Sequence, residues 1–499
     1  MSIEIDGNVS GPIPEVLYGP RKQVVLSDPT EENRDMALRK FNKTLLAGAM
    51  TVALAGTMAA CSSGGNTGTE ESGSSTEGGG DAAAEGQVYY LNFKPEQADA
   101  WVALGEAYEQ ETGVPVTVQT AASGTYASVL KSEMAKSNPP TIFQVNGPVG
   151  LATWKDYGAD LKDTPLYEHL QDKNMALGGA DGEILAIPYV IETYGLIYNK
   201  ALMANYIEQP FAVVKNVDEI NNFETLKAVA ESIQEHKDEL GMKGAFTSSG
   251  FDASSDWRFK THLANLPLYY ELKDVDIEGQ PESIEGTYME NYKNIFDLYI
   301  NNSTVEPSTL AGKTMEDATA EFALGEAMFL QNGTWAYGDL SAAGMPDEDL
   351  GMLPIYIGAE GEENQGLTTG SENYWMINKN VSEADQKASI DFLSWAITSD
   401  TGRESLTNEM GFVTPFDSFE GYESTNPLII ADNESRAAGK DSVAWFFTMM
   451  PSDEWKNGVG QALLSYAQGT GDWDGVKSAY VDNWAKEVEL VKANSGDEG

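Results

Sequence analysis

One cysteine and three histidines are all that 499 residues contain. A single thiol forms no intrachain disulfide, so folded stability has to come from burial rather than cross-links. His169, His236 and His262 lie far apart and show no ligand spacing, which disfavours zinc sites and histidine-activated nucleophiles. Basic charge is equally scarce. Lys and Arg total 31 against 78 Asp and Glu, a net charge of −47. Such a chain repels phosphate backbones, which argues against a nucleic-acid partner, and it adsorbs poorly on anionic membranes. The apolar stretch at 44–60 is 17 residues long, short of the about 20 that a transmembrane helix needs.

That stretch follows Arg39, Lys40 and Lys43, and ends in Met58-Ala59-Ala60 directly before Cys61. A basic cluster, a short apolar segment rich in Ala, Gly and Thr, and small residues ahead of a thiol read as a secretory signal ending in a lipid-modified cysteine. The competing assignment is a single membrane-spanning helix. Residues 58–61 resemble the bacterial lipobox, in which the cysteine becomes the diacylglyceryl-bearing first residue of the mature protein. Met58 departs from the Leu usual at its position. The signal is expected at 36–60, starting from Met36, with residues 1–35 a non-native or disordered extension; a genuine N-terminal extension is the alternative. Residues 61–86 are then the lipidated cysteine and a flexible Gly/Ser/Glu tether. From Cys61 onward 439 residues remain, enough for two lobes with separate cores.

Ordered structure is expected from Val88. Val88-Tyr89-Tyr90-Leu91-Asn92-Phe93 reads as a strand, and Pro95 opens a helix whose Trp101, Leu104 and Tyr108 recur at helical spacing. Gly113 ends it, 114–118 is a second strand, 126–136 a helix and 141–145 a third strand. This alternation predicts an α/β lobe on a mainly parallel sheet.

Five blocks in order resemble the family 1 extracellular solute-binding proteins, the maltose- and oligosaccharide-binding components of ABC importers. The first is Glu111-Thr112-Gly113-Val114-Pro115 with Asn138-Pro139-Pro140-Thr141; the second is Gly182-Glu183-Ile184-Leu185 through Asn199-Lys200. Residues 322–335, ending in Trp335, form the third. Residues 375–415, closing on Gly411-Phe412-Val413-Thr414-Pro415, form the fourth, and 462–484 the fifth. The resemblance spans about 87–490. It implies an α/β, two-lobed periplasmic-binding-protein-like fold (type II) with a ligand cleft between lobes joined by hinge strands. By order it places lobe 1 at 87–191 and 366–417, and lobe 2 at 192–365 and 418–495. It also implies an oligosaccharide ligand, an ABC permease with its cytoplasmic ATPase as partner, a monomer without cofactor, and no catalysis.

A sugar offers an apolar face and a rim of hydroxyls, so its site needs an aromatic plane beside fixed polar groups. Trp335, after the turn Asn332-Gly333-Thr334, is the expected plane, and Trp455 matches a second stacking position of the family. Glu192 and Tyr194 fall at the matched crossover between lobes. Gln144 and Asn146 sit at the C-terminal end of a strand, where open α/β sheets bind ligands. Tyr126, Trp257, Ser371 and Tyr374 are further loop candidates. Each competes with an ordinary core or surface role. The acidic run from Asp274 to Glu285 only approximates a calcium loop, since Glu278 and Pro281 break it. Tyr269-Tyr270 is better read as core.

Two other function classes remain open. A secreted glycoside hydrolase would need a carboxylate pair about 5–10 Å apart, and the same fold could hold a polyamine or peptide.

Overall fold

The computed structural model describes residues 86–275 and 279–495. The signal, Cys61 and the tether through residue 85 lie outside the described residues, as do Asp276 and Glu278 of the acidic run. The two lobes belong to one unit, Gly79–Gly499.

Among the described residues, twelve strands form two sheets. The first is six-stranded, ordered β2-β1-β3-β11-β5-β4, from β1 (Val88–Asn92), β2 (Val116–Thr120), β3 (Ile142–Asn146), β4 (Leu177–Gly178), β5 (Ile184–Pro188) and β11 (Asn373–Ile377). All five residues of β1 are buried, as its aromatic and β-branched content predicts for a strand covered on both faces. Helix α1 (Ala98–Thr112) buries Trp101, Leu104 and Tyr108 together, the stripe that the spacing predicts. Alternation along β11 divides the lobe into two cores. Trp375 and Ile377 join Trp101, Leu104 and Phe392 on one face. Tyr374 and Met376 join Phe143, with Tyr126 and Leu130 of α2 (Tyr126–Met134) and Leu151 of α3 (Gly147–Trp154), on the other.

The sheet is less parallel than expected. β1 runs parallel to β2 and β3, but β11 lies antiparallel to β3 and β5. The cause is the route of the chain: β11 enters from the second lobe, so it runs against the strands that leave the first.

The second sheet, ordered β12-β10-β6-β8-β7 with β9 also on β6, comprises β6 (Glu192–Asn199), β7 (Gly244–Phe246), β8 (Ala327–Gly333), β9 (Leu350–Leu353), β10 (Gln365–Gly370) and β12 (Asp441–Ala444). Central β6 and β8 are buried throughout. The chain passes between sheets at 189–191 and again at Ser371 and Glu372. A border at 366 thus falls inside β10, which pairs with β6 and β12 of the second sheet. These crossings are tied together: Ser371 Oγ donates to Val190 O at 2.6 Å, and Ile191 N donates to Val413 O at 2.6 Å.

Two glycines mark where the lobes meet. A Cβ on Gly147, at φ +62°, would lie 2.7 Å from Thr448 Cβ, and one on Gly124, at φ +74°, would lie 2.6 Å from Ala253 O. Both positions need the left-handed backbone and the missing side chain.

Candidate functional site

Trp335 stands in the single turn Thr334–Ala336 that follows β8. Its ring is half-buried, backed by Tyr194 at 6.0 Å and 24° and by Trp257 at 5.9 Å. His262 stacks against Tyr194 at 4.3 Å and 18° and lies 5.7 Å from the Trp335 ring, and Trp445 meets Trp335 edge-on at 6.4 Å. His262 lies in the π-helical turn Arg258–Leu263, a local widening of the helix of a kind found frequently at functional sites. Burial, then the cations of Arg258 and Lys94, push its imidazole well below the ordinary range, so it is neutral. The Arg258 guanidinium lies 4.3 Å from the Trp257 ring centre and donates to Gln331 O at 3.0 Å. The second lobe therefore presents an aromatic platform in which Trp335 and Trp257 are both partly open.

The first lobe and the crossings supply polar groups. Lys94 follows β1 and sends its ammonium to Glu192 at 2.7 Å and to Glu96 at 3.6 Å. Lys94 Nζ also lies 5.5 Å from the centre of the Trp335 ring. Burial alone would lower the lysine, but Glu192, Glu96 and Glu372 outweigh it and hold it charged above its usual range. Asn146 Nδ2 donates to Glu372 Oε1 at 3.0 Å. Burial pushes the Glu372 carboxyl up to about 7, against the pull of Lys456 and Lys94.

Glu372 yields a pH prediction. Its folded pKa lies above its unfolded one, so the folded state loses stability as pH rises from about 4.5 toward 7 and no more above that. Because the side chain is partly exposed, the effect is on the order of 1–2 kcal/mol. Urea unfolding at pH 5 and pH 8 should show Glu372→Gln gaining on the parent protein at the higher pH. Equal pH dependence of the two proteins would refute the shift.

The structure brings together Trp335, Tyr194, Trp257, Glu192 and Asn146 around the crossings. Tyr194 is fully buried and supports the platform from behind instead of lining it. The other candidates are engaged in packing or bracing. Trp455 is 3% exposed, and its ring is covered by Tyr480 at 5.1 Å and Trp484 at 5.2 Å, so it packs the core with no free face. Gln144 is fully buried and spent on bracing: Phe93 N donates to its Oε1 at 2.5 Å, and its Nε2 donates to the Tyr189 hydroxyl. Tyr126 accepts from Gln144 N at 2.7 Å and donates to Leu91 O at 3.3 Å. Tyr374 is core, and Ser371 ties the crossings. Tyr270 is buried and donates to Gln365 at 2.6 Å.

Sequence reasoning missed Lys94, Glu96, His262 and Trp445. The strand-end rule used for β3 would have found Lys94 had it been applied to β1; no local signal marks His262 or Trp445. Among the described residues no cluster of His, Cys, Asp and Glu is placed to hold a metal ion, and no helix is long and apolar enough to cross a membrane. A small cavity lined by Phe246, Tyr299, Ser303 and Gln331 involves the second lobe alone, so a ligand there would not bridge the lobes.

Solved structures share this architecture. RafE in complex with raffinose matches at a TM-score of 0.62 and 15% identity, covering 81% of this chain and 99% of its own; RafE of Streptococcus pneumoniae has also been solved in its apo form. The GacH receptor of Streptomyces glaucescens GLA.O, solved unliganded and with acarbose, matches at 0.60 and 19%, covering 81% and 99%. A family 1 extracellular solute-binding protein from Bifidobacterium longum subsp. infantis matches at 0.54 and 18%, covering 80% and 100%. At these identities the likeness establishes the two-lobed fold. Residues 103–430 match the model of the bacterial extracellular solute-binding proteins, and with most of the folded chain inside that match, the protein belongs to this family.

Proposed function

We propose that the protein captures an oligosaccharide in the cleft between its lobes and delivers it to an ABC importer. The observation that carries this reading is the Trp335 platform, partly open and edged by Glu192, Lys94, Glu96, Glu372 and Asn146 from the first lobe and the crossings. A pyranose laid on the ring would bury its C–H face, and the polar edge would meet its hydroxyls. Contacts to both lobes make ligand stabilise the closed arrangement, which gives a permease something to read. Raffinose and acarbose in the related structures support a saccharide as the class of ligand.

The basic cluster, short apolar segment and Cys61 support export and a lipid anchor on the outer face of the cell membrane. With the tether, that anchor would hold the receptor near its permease at high effective concentration. We take the lobes to divide at the strand crossings, and the receptor to act as a monomer without catalysis.

A thermal-shift screen of the purified protein tests the ligand class. A saccharide at 100 times its dissociation constant should add about 2.7 kcal/mol to stability. A shift with polyamines or peptides and none with any saccharide would overturn the reading, and cleavage of the saccharide would make the protein a hydrolase. Intact mass of the cell-extracted protein tests the anchor: a mature chain without diacylglycerol on Cys61 would refute it.

A further inference from the structure

Two carboxylates close on one ammonium in the cleft, and a third stands in its field. Glu192 and Glu96 lie 2.7 Å and 3.6 Å from Lys94 Nζ, and Glu372 is near enough to feel the charges of both Lys94 and Glu192. Trp335 faces the ammonium from a further side at 5.5 Å. Carboxylates around an aromatic plane form the environment that holds an organic cation. Here the chain fills that environment with its own side chain, 5% exposed.

The backbone of Lys94 is itself held in place. Asn92, fully buried at the end of β1, donates from Nδ2 to Lys94 O at 2.7 Å and accepts from Lys94 N at 3.2 Å. The ammonium is thus a tethered and positioned competitor for any free amine.

We propose that Lys94 is a specificity-determining residue: as the resident cation of a carboxylate and tryptophan cage, it bars amine-bearing ligands and leaves the platform to neutral saccharides. The inference rests on the carbohydrate reading above. A free amine entering the cage must displace an ammonium whose effective concentration is on the order of millimolar or more. A neutral sugar makes no such demand, since its hydroxyls can share Lys94 and its partners as they stand. Taking the lysine away leaves buried carboxylates without their counter-charge, which they can recover from a proton or from a ligand cation.

Calorimetric titration of the full-length protein, Lys94→Met and Lys94→Arg at pH 7 tests this. The probes are spermidine, a glucosamine oligomer, and the N-acetylated oligomer of the same length. Lys94→Met should bind spermidine and the amino oligomer at least tenfold more tightly than the parent protein does, and the gain should shrink with added salt. Lys94→Arg, which keeps the charge, should show no gain. A folded Lys94→Met protein with no gain for either amine overturns the proposal. So does a parent protein that binds the amino oligomer as tightly as the N-acetylated one, a comparison that needs no variant to fold. An amine gain in Lys94→Met with no saccharide binding by either protein would uphold the cage and reject the carbohydrate reading. Saccharide binding with no amine gain would do the reverse.

Discussion

Trp335→Ala is expected to weaken oligosaccharide binding by about 30-fold or more, the loss of about 2 kcal/mol that marks an aromatic anchor at the centre of a site, while shifting the melting temperature by only a few degrees. The two effects separate because the ring is half-buried. One side rests on Tyr194 and Trp257, and another looks toward Lys94 and the first lobe. Removing the indole removes the plane without opening the deep core. Gly333→Ala makes an independent check, because a Cβ there would lie 2.0 Å from the Trp335 ring. That methyl has to push the ring aside, so Gly333→Ala should reproduce much of the loss with the indole still present. Isothermal titration against the tightest saccharide from the thermal screen measures both. An unchanged dissociation constant for Trp335→Ala would remove this residue from the site.

Much of the first lobe was legible because its elements are set locally. Trp101, Leu104 and Tyr108 point one way on any helix that contains them, and the runs around Tyr90 and Ile142 suit strands buried on both faces. The interleaving of the lobes came from the resemblance, since periodicity does not say which sheet a strand joins. β10 illustrates the limit: nothing in Gln365 to Gly370 reveals that it pairs with β6 before the chain turns back at Ser371. The site was half legible for a related reason. Trp335 and Trp455 both follow turn-like sequences, and their fates part only through distant packing, where Tyr480 and Trp484 close over Trp455. Gln144 and Asn146 share one face of β3, yet Phe93 and Tyr189 occupy Gln144 while Asn146, at the strand end, reaches Glu372. Lys94 went unnoticed because a lone lysine after a strand is ordinarily solvated; the carboxylates that bury it come from residues far along the chain or across a tight turn.

Trp375→Ala should have the opposite profile, costing about 3–5 kcal/mol of folding stability with little change in ligand affinity. Trp375 is fully buried on β11 between β3 and β5. Its ring stacks on Tyr189 at 4.4 Å and 7°, lies 6.0 Å from Trp101 and 6.4 Å from Phe416, and its Nε1 donates to the Tyr90 hydroxyl at 3.1 Å. Alanine would leave a cavity walled by rigid rings, which close over a void poorly, and would take a donor from a buried hydroxyl. Tyr189 stands at the first crossing between the sheets and Phe416 just past the Val413 bridge to Ile191, so the same ring anchors the base of the hinge. Because the two lobes have separate cores, urea unfolding followed by two probes should show the transition of the first lobe move while that of the second stays. None of the contacts of Trp375 reaches Trp335 or Lys94, so saccharide should still bind the folded variant within a few-fold of the parent affinity. If Trp375→Ala lost ligand binding as severely as Trp335→Ala while remaining folded, the platform and the hinge core would have to be treated as one coupled unit, and the assignment of binding to Trp335 alone would fail.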